Sequence, residues 1–183
     1  EGRRRSPEEK RVMKTYDAVI LGAGIAGLSV ARELAKLKKR VLVLDPDKVG
    51  GNASRAAAGT LDPYTEATEE TALFRLGLKA LDTYSAFLDE LGASARREAE
   101  YEKLGVLYLA TAPEDKSLLK ARFEWQKKRG LPVQFLSGDE VRKLEPCATG
   151  RAQAGVFYPE IPKLNPEKLT HLIFKSAQRA GVE

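Results

Sequence analysis

The sequence predicts an α/β fold that begins with strand, helix and strand on a parallel sheet. Three observations carry this. Asp17 to Leu21 is a continuous β-prone apolar run, the pattern of a parallel strand buried on both faces. Leu28, Ala31, Leu34, Ala35 and Leu37 then recur at helical spacing, with Arg32, Glu33, Lys36 and Lys38 between them as the polar side. A second apolar run, Arg40 to Leu44, follows within the span of a right-handed crossover unit, and Asp45-Pro46 stops it because proline donates nothing to a ladder.

The later elements are read from the same signals. Gly50 to Leu61 is rich in glycine and alanine and too poor in large apolar residues to be a core element. Glu66 to Leu91 is a long helical region with Phe74, Leu78, Leu81, Tyr84, Leu88 and Leu91 on one face and Gly92 as its stop. Leu104 to Ala110 reads as a strand, Pro113 to Gly130 as a helix and Val133 to Leu136 as a short strand. Ser137 and Glu140 form a capping box for a helix ending before Pro146. Gly155 to Tyr158 is a further strand. Asn165-Pro166 opens a helix that Gly181 closes, and the chain stops at Val182-Glu183 where another strand is expected.

Composition narrows the class. With 183 residues, 43% hydrophobic and 31% charged, the chain is long enough for a sizeable core and reads as globular. No apolar run reaches bilayer length and the first residues are polar, so no membrane partner is expected. The single cysteine, Cys147, forbids an internal disulfide and suits a reducing cytoplasm. Residues 1–12 hold five basic and three acidic side chains, part of the net charge of +5; elsewhere the signs are interspersed. No basic stripe interleaves with aromatics, so nucleic acid is set aside as a partner. Met13, the single methionine, stands before the first strand, and residues 1–12 read as a leader, an added extension or an ordinary N-terminal arm.

The chemistry is concentrated between the first strand and helix. Gly22, Gly24 and Gly27 form G-x-G-x-x-G there. The first glycine permits the tight turn, the second lets backbone approach a pyrophosphate, and the third lets the helix pack close to the strand. The helix N-terminus adds unpaired N–H groups and a positive dipole end. Asp45 ends the second strand at the place where an acid accepts hydrogen bonds from an adenosine ribose, and its charge disfavours a 2′-phosphate and hence NADP. A simple NAD domain would continue from the second strand into a helix. Here the small residues of Gly50 to Leu61 offer backbone to a long flat ligand instead, which favours FAD over NAD.

MKTYDAVILGAGIAGLS, the Asp45 turn, GGNASRAAAGTL, KLEP and GVFYPE together resemble the FAD-dependent D-amino-acid-oxidase-like superfamily, and within it the glycine oxidases of thiamine biosynthesis. The likeness runs from Met13 to the last residue and corresponds to the N-terminal half of such enzymes. It implies an FAD/NAD(P)-binding Rossmann-like parallel sheet with an inserted, incomplete α+β substrate domain. Residues 13–96 would be the first part of the FAD domain, 97–163 the first part of the substrate domain, and 164–183 the return to the FAD domain. Ile25 and Ala26 would meet the FAD pyrophosphate, and Asp45 with Pro46 would hold the adenosine ribose. Ala53 and Ser54 would add phosphate contacts, while Ala58, Gly59 and Thr60 would lie along the flavin. Two departures stand out: Asp45 where glutamate is more usual, and Thr60 where the glycine oxidase pattern has methionine. The activity implied is oxidation of a small, glycine-like amino acid or amine to an imine, with O2 reduced to H2O2. Sarcosine oxidase and D-amino acid dehydrogenase types are the near neighbours. The catalytic residues are expected beyond Glu183, so the chain alone is also read as an FAD-binding fragment or subunit. A missing C-terminal half, a partner chain or a homo-oligomer stays open.

Other residues invite a function and have a plainer role. His171 is the single histidine, which sets aside histidine triads and multi-histidine metal sites, and no metal is expected. Cys147 reads as an inert thiol. Phe123 and Trp125, set among Lys120, Arg122, Lys127, Lys128 and Arg129, read as the apolar side of an amphipathic helix. Tyr101, Tyr108 and Tyr158 are the aromatics nearest any substrate pocket, with strand-core packing as their simpler role.

Overall fold

The computed structural model describes residues 14–65 and 67–183; the expectation for residues 1–12 lies outside the described residues. The chain runs β1 (Ala18–Leu21), α1 (Ile25–Lys36), β2 (Val41–Leu44), α2 (Ala53–Ala56), α3 (Ala72–Leu91) and α4 (Ala95–Glu98). It continues β3 (Glu102–Lys103), β4 (Val106–Ala110), α5 (Pro113–Lys127), β5 (Gln134–Ser137) and α6 (Gly138–Leu144). The last elements are β6 (Ala154–Tyr158), β7 (Pro162–Lys163) and α7 (Pro166–Arg179).

β1 and β2 pair in parallel with Ala18 opposite Val41 and Leu21 opposite Leu44, the register of a crossover through α1. Beyond the last helix, Glu183 N donates to Val41 O at 3.0 Å and Val43 N donates to Glu183 O at 2.7 Å. These two bonds set the last residue alongside β2, on the edge away from β1. The second sheet is antiparallel in the order β4-β6-β5, with α6 and α5 packed against it, and β3 pairs with β7. Two cores result. One joins Leu28 of α1, Leu88 and Leu91 of α3 and Leu169 and Ile173 of α7. The other gathers Phe74, Leu119, Phe123, Val156 and Tyr158 around the antiparallel sheet.

The caps fall where the sequence places them. Ser137 and Glu140 make both halves of the capping box, and Asn165 Oδ1 accepts from Lys168 N at 3.1 Å with Pro166 next in the helix. Three expectations need correction. The helix expected from Glu66 begins at Ala72, because the Thr71 side chain accepts from Phe74 N and starts the helix there. The parallel strands are covered on one face only: Val19 is 54% exposed, Leu21 81% and Leu44 49%. Helices α1 and α7 pack together, with α1 on β2, and no described element covers the outer face. Lastly, Leu37 lies off the buried stripe of α1, while Arg32, read as polar-side, is 4% exposed.

Arg32 is buried because its partners come to it. Its Nε donates to Ser176 Oγ on α7 at 2.9 Å, and its two Nη atoms reach Glu33 and Glu90. A buried guanidinium is tolerable only when its donors are matched in this way. The result ties α1, α3 and α7 together behind the glycine turn.

Candidate dinucleotide-binding site

The site is built where β1 and β2 end side by side. Gly22 N donates to Leu44 O at 2.8 Å, and one residue on, Ala23 N donates to Asp45 Oδ2 at 2.6 Å. Gly22 stands at φ +108°, a left-handed conformation that side chains resist, and this turns the chain into α1 with Gly24 as N-cap. A Cβ on Gly27 would fall under 3.0 Å from Gly22 O, so glycine is what lets the helix seat against the turn.

The first turn of α1 has amides without intrahelical acceptors and no acidic side chain. Ser54 of α2 meets it: Ser54 Oγ accepts from Ile25 N at 3.0 Å, directly over Gly24, whose added Cβ would lie 3.2 Å from the same oxygen. Gly50 N donates to Ala23 O at 3.0 Å and folds the chain after β2 back under the turn. The amides of Ala26 and Gly27, the positive end of the helix dipole and the Ser54 hydroxyl thus meet at one place, an arrangement suited to a phosphate.

Asp45 is anchored beside it. Its Oδ2 takes the Ala23 amide and its Oδ1 takes the Asp47 amide at 2.8 Å. These two backbone donors, Ala23 first, hold its carboxyl below the ordinary carboxylate range. Each oxygen keeps a second lone pair for a hydroxyl donor. Pro46 follows exposed, and Ala53 opens α2 exposed.

The structure therefore brings Gly22, Gly24, Ile25, Ala26, Gly27, Asp45 and Ser54 together. Ala58, Gly59 and Thr60 form a second group, laid along residues 162–164. Leu164 N donates to Gly59 O at 3.0 Å, Thr60 bridges Lys163, and Leu61 N donates to Pro162 O at 2.9 Å. Gly59 stands at φ +85°, and a Cβ there would fall under 3.0 Å from Leu164 O, so this packing already demands glycine. Sequence reasoning missed Arg32, although a signal was present: it shares the helical stripe of Leu28, Ala31 and Ala35. Nothing in the sequence pairs Ser54 with Ile25.

Of the plainer roles, strand-core packing holds for Tyr158 and fails for Tyr108, whose side of β4 faces outward, while Tyr101 lies before β3 and not in a strand. His171 is exposed with Nδ1 3.0 Å from Glu167 O, and Cys147 is exposed and free. Tyr158 is buried in the second core, Tyr101 stacks on Tyr84, and Tyr108 is exposed under the Arg122 guanidinium. Among the described residues no helix is long and apolar enough to cross a membrane. No group of three or more His, Cys, Asp or Glu side chains among them could hold a metal ion.

Comparison with known proteins gives this geometry a family. The FAD dependent oxidoreductase family, DAO, matches residues 17–183. Glycine oxidase of Geobacillus kaustophilus is 32% identical over 167 residues, 91% of this chain and 44% of that enzyme. The bifunctional protein ThiO/ThiG of Trichormus variabilis is 28% identical, covering 92% of this chain and 25% of that protein. The crystal structure of the Geobacillus kaustophilus glycine oxidase superposes with a TM-score of 0.83 at 27% identity, over 92% of this chain and 45% of that one. The chain spans less than half the length of these relatives. The glycine turn, the anchored acid and the match over nearly the whole chain place the protein in the FAD dependent oxidoreductase (DAO) family.

Proposed function

We propose that this chain grips FAD for the oxidation of a small amino acid or amine to an imine, with O2 reduced to H2O2. The observation that carries the proposal is the junction where the first-turn amides of α1, the Ser54 hydroxyl and the Asp45 carboxylate converge. In this reading Ile25, Ala26 and Gly27 present backbone to the pyrophosphate across the bare Gly22 and Gly24, with Ala53 and Ser54 closing over it. Asp45 accepts from the adenosine ribose, with Pro46 ending its strand, and repels a 2′-phosphate. Ala58, Gly59 and Thr60 flank the flavin. FAD, when bound, supplies the two-electron acceptor that no side chain provides.

The first core draws on both ends of the chain, which supports assigning residues 13–96 and 164–183 to the FAD domain and 97–163 to the substrate domain. A place in thiamine biosynthesis belongs to the same proposal, supported by the likeness to glycine oxidase and ThiO/ThiG. The exposed apolar face of β1 and β2 supports a second reading, in which the chain binds FAD but works only with a further segment or partner over Val19, Leu21 and Leu44.

The test is titration with FAD, NAD and NADP, followed by gel filtration and a peroxide assay with glycine. We expect visible flavin absorbance to travel with the protein after FAD alone. A colourless protein refutes the proposal; flavin without peroxide favours the second reading.

A further inference from the structure

Resting on that FAD reading, we infer that the cavity between α3 and the segments 61–63 and 67–71 receives an apolar substituent of the amine substrate, so that the preferred amine carries a branched or aromatic group. The cavity measures about 560 Å³, within the range of small-molecule sites and far larger than glycine needs. Leu61, Pro63, Leu73, Phe74, Leu81 and Tyr84 line it. Leu61, on its lining, follows the Ala58–Thr60 group directly in the chain.

Its walls are built. Gln126, fully buried on α5, donates through Nε2 to Tyr64 O at 2.8 Å, and Arg122 donates to Thr65 O. Asp62 closes the turn between them by accepting from Tyr64 N at 2.8 Å and Thr65 N at 3.0 Å. The floor residue Phe74 packs on Trp125 with ring centroids 5.5 Å apart. Among the described residues the charged side chains on the lining are two acids, Asp62 and Glu69, and no basic side chain lies on it. An ammonium is welcome near such a mouth, whereas an amino acid's carboxylate has no partner there. What the cavity offers is apolar surface for the rest of the molecule. Burial drives the Tyr84 hydroxyl up to about 12, so it stays a neutral donor on the wall at any working pH.

Trp125 is the single tryptophan, so its fluorescence reads the cavity floor without flavin or turnover. The protein is titrated with 3-methylbutylamine and with methylamine, which share a charge and differ in apolar tail. Partial burial of that tail predicts about tenfold tighter binding of the longer amine. Ala80→Phe, which puts a ring into the mouth from the exposed surface of α3, removes the preference and leaves FAD uptake unchanged. Leu73→Ser, at a position 77% exposed on the rim, weakens the preference several-fold and serves where Ala80→Phe does not fold. Equal affinities for the two amines, or a preference that survives both substitutions, overturns the inference. A protein that keeps the preference but takes up no FAD refutes the cofactor reading instead.

Discussion

Gly27→Ala tests the glycine turn with two opposed magnitudes. In an ordinary helix position alanine is favoured over glycine by about 1 kcal/mol. Here the new Cβ would fall under 3.0 Å from Gly22 O, 3.2 Å from Gly22 C and 3.3 Å from Ile20 Cγ2. The nearest of these is backbone, held by the Gly22 N to Leu44 O bond, and cannot swing aside as a flexible side chain would. Overpacking of this kind costs about 1–3 kcal/mol, and the turn must retreat by roughly 1 Å to restore contact. Set against the propensity gain, this leaves a net destabilisation of up to about 2 kcal/mol. The shift also moves the Ala26 and Gly27 amides off the phosphate. Hydrogen bonds to charged groups contribute about 1.5–3 kcal/mol each, so loss of one weakens FAD binding by roughly one to two orders of magnitude. Urea denaturation gives the first number and quenching of FAD fluorescence the second. Gly24→Ala is the control for stability alone, because its Cβ meets only the Ser54 hydroxyl at 3.2 Å and no backbone, while FAD binding should fall there too, since the bare Gly24 faces the pyrophosphate in this reading. A Gly27→Ala protein that is more stable than the parent and binds FAD equally well would refute the argument.

Asp45→Asn is expected to weaken FAD binding at least tenfold and to relax discrimination against NADP, read by parallel titrations. The Asp45 carboxyl is lowered in the folded chain by the Ala23 and Asp47 amides, so its stabilisation is present above the unfolded carboxylate range. That stabilisation is lost as pH falls through the lowered value, and the acid limb of a thermal-melt profile should flatten in Asp45→Asn. Arg32→Met should cost about 1–3 kcal/mol in urea, by freeing Ser176 Oγ and loosening α1 from α7. The low end is expected, since Glu33 and Glu90 are 58% and 51% exposed and rehydrate once the arginine is gone. Ser137→Ala removes the Oγ acceptor of the capping box, leaves the Ser137 N to Glu140 half in place, and should cost about 0.5–2 kcal/mol, with no change in FAD uptake.

By itself the sequence determined what local chemistry decides. The glycine turn, the runs that make β1, α1 and β2, the Ser137 and Asn165 caps and the Asp45-Pro46 stop each depend on residues within a few positions of one another. Backbone sterics and capping bonds act at that range, so they are written in order along the chain. Tertiary structure alone decided what depends on where distant segments return. Ser54 reaches the N-terminus of α1 because Gly50 N bonds Ala23 O and folds the chain back. Arg32 is buried because Ser176, from the far end of the chain, supplies an acceptor; without it the same helix position reads as solvent side. Val19 and Leu21 look like core from their composition, yet burial is a property of neighbours, and no described element covers their face. Gly59 reads as ligand-facing in the sequence, while Leu164 O supplies its first reason to be glycine. Beside the cavity, Tyr64 and Thr65 are held through their carbonyls by Gln126 and Arg122 of α5, more than fifty residues later in the chain.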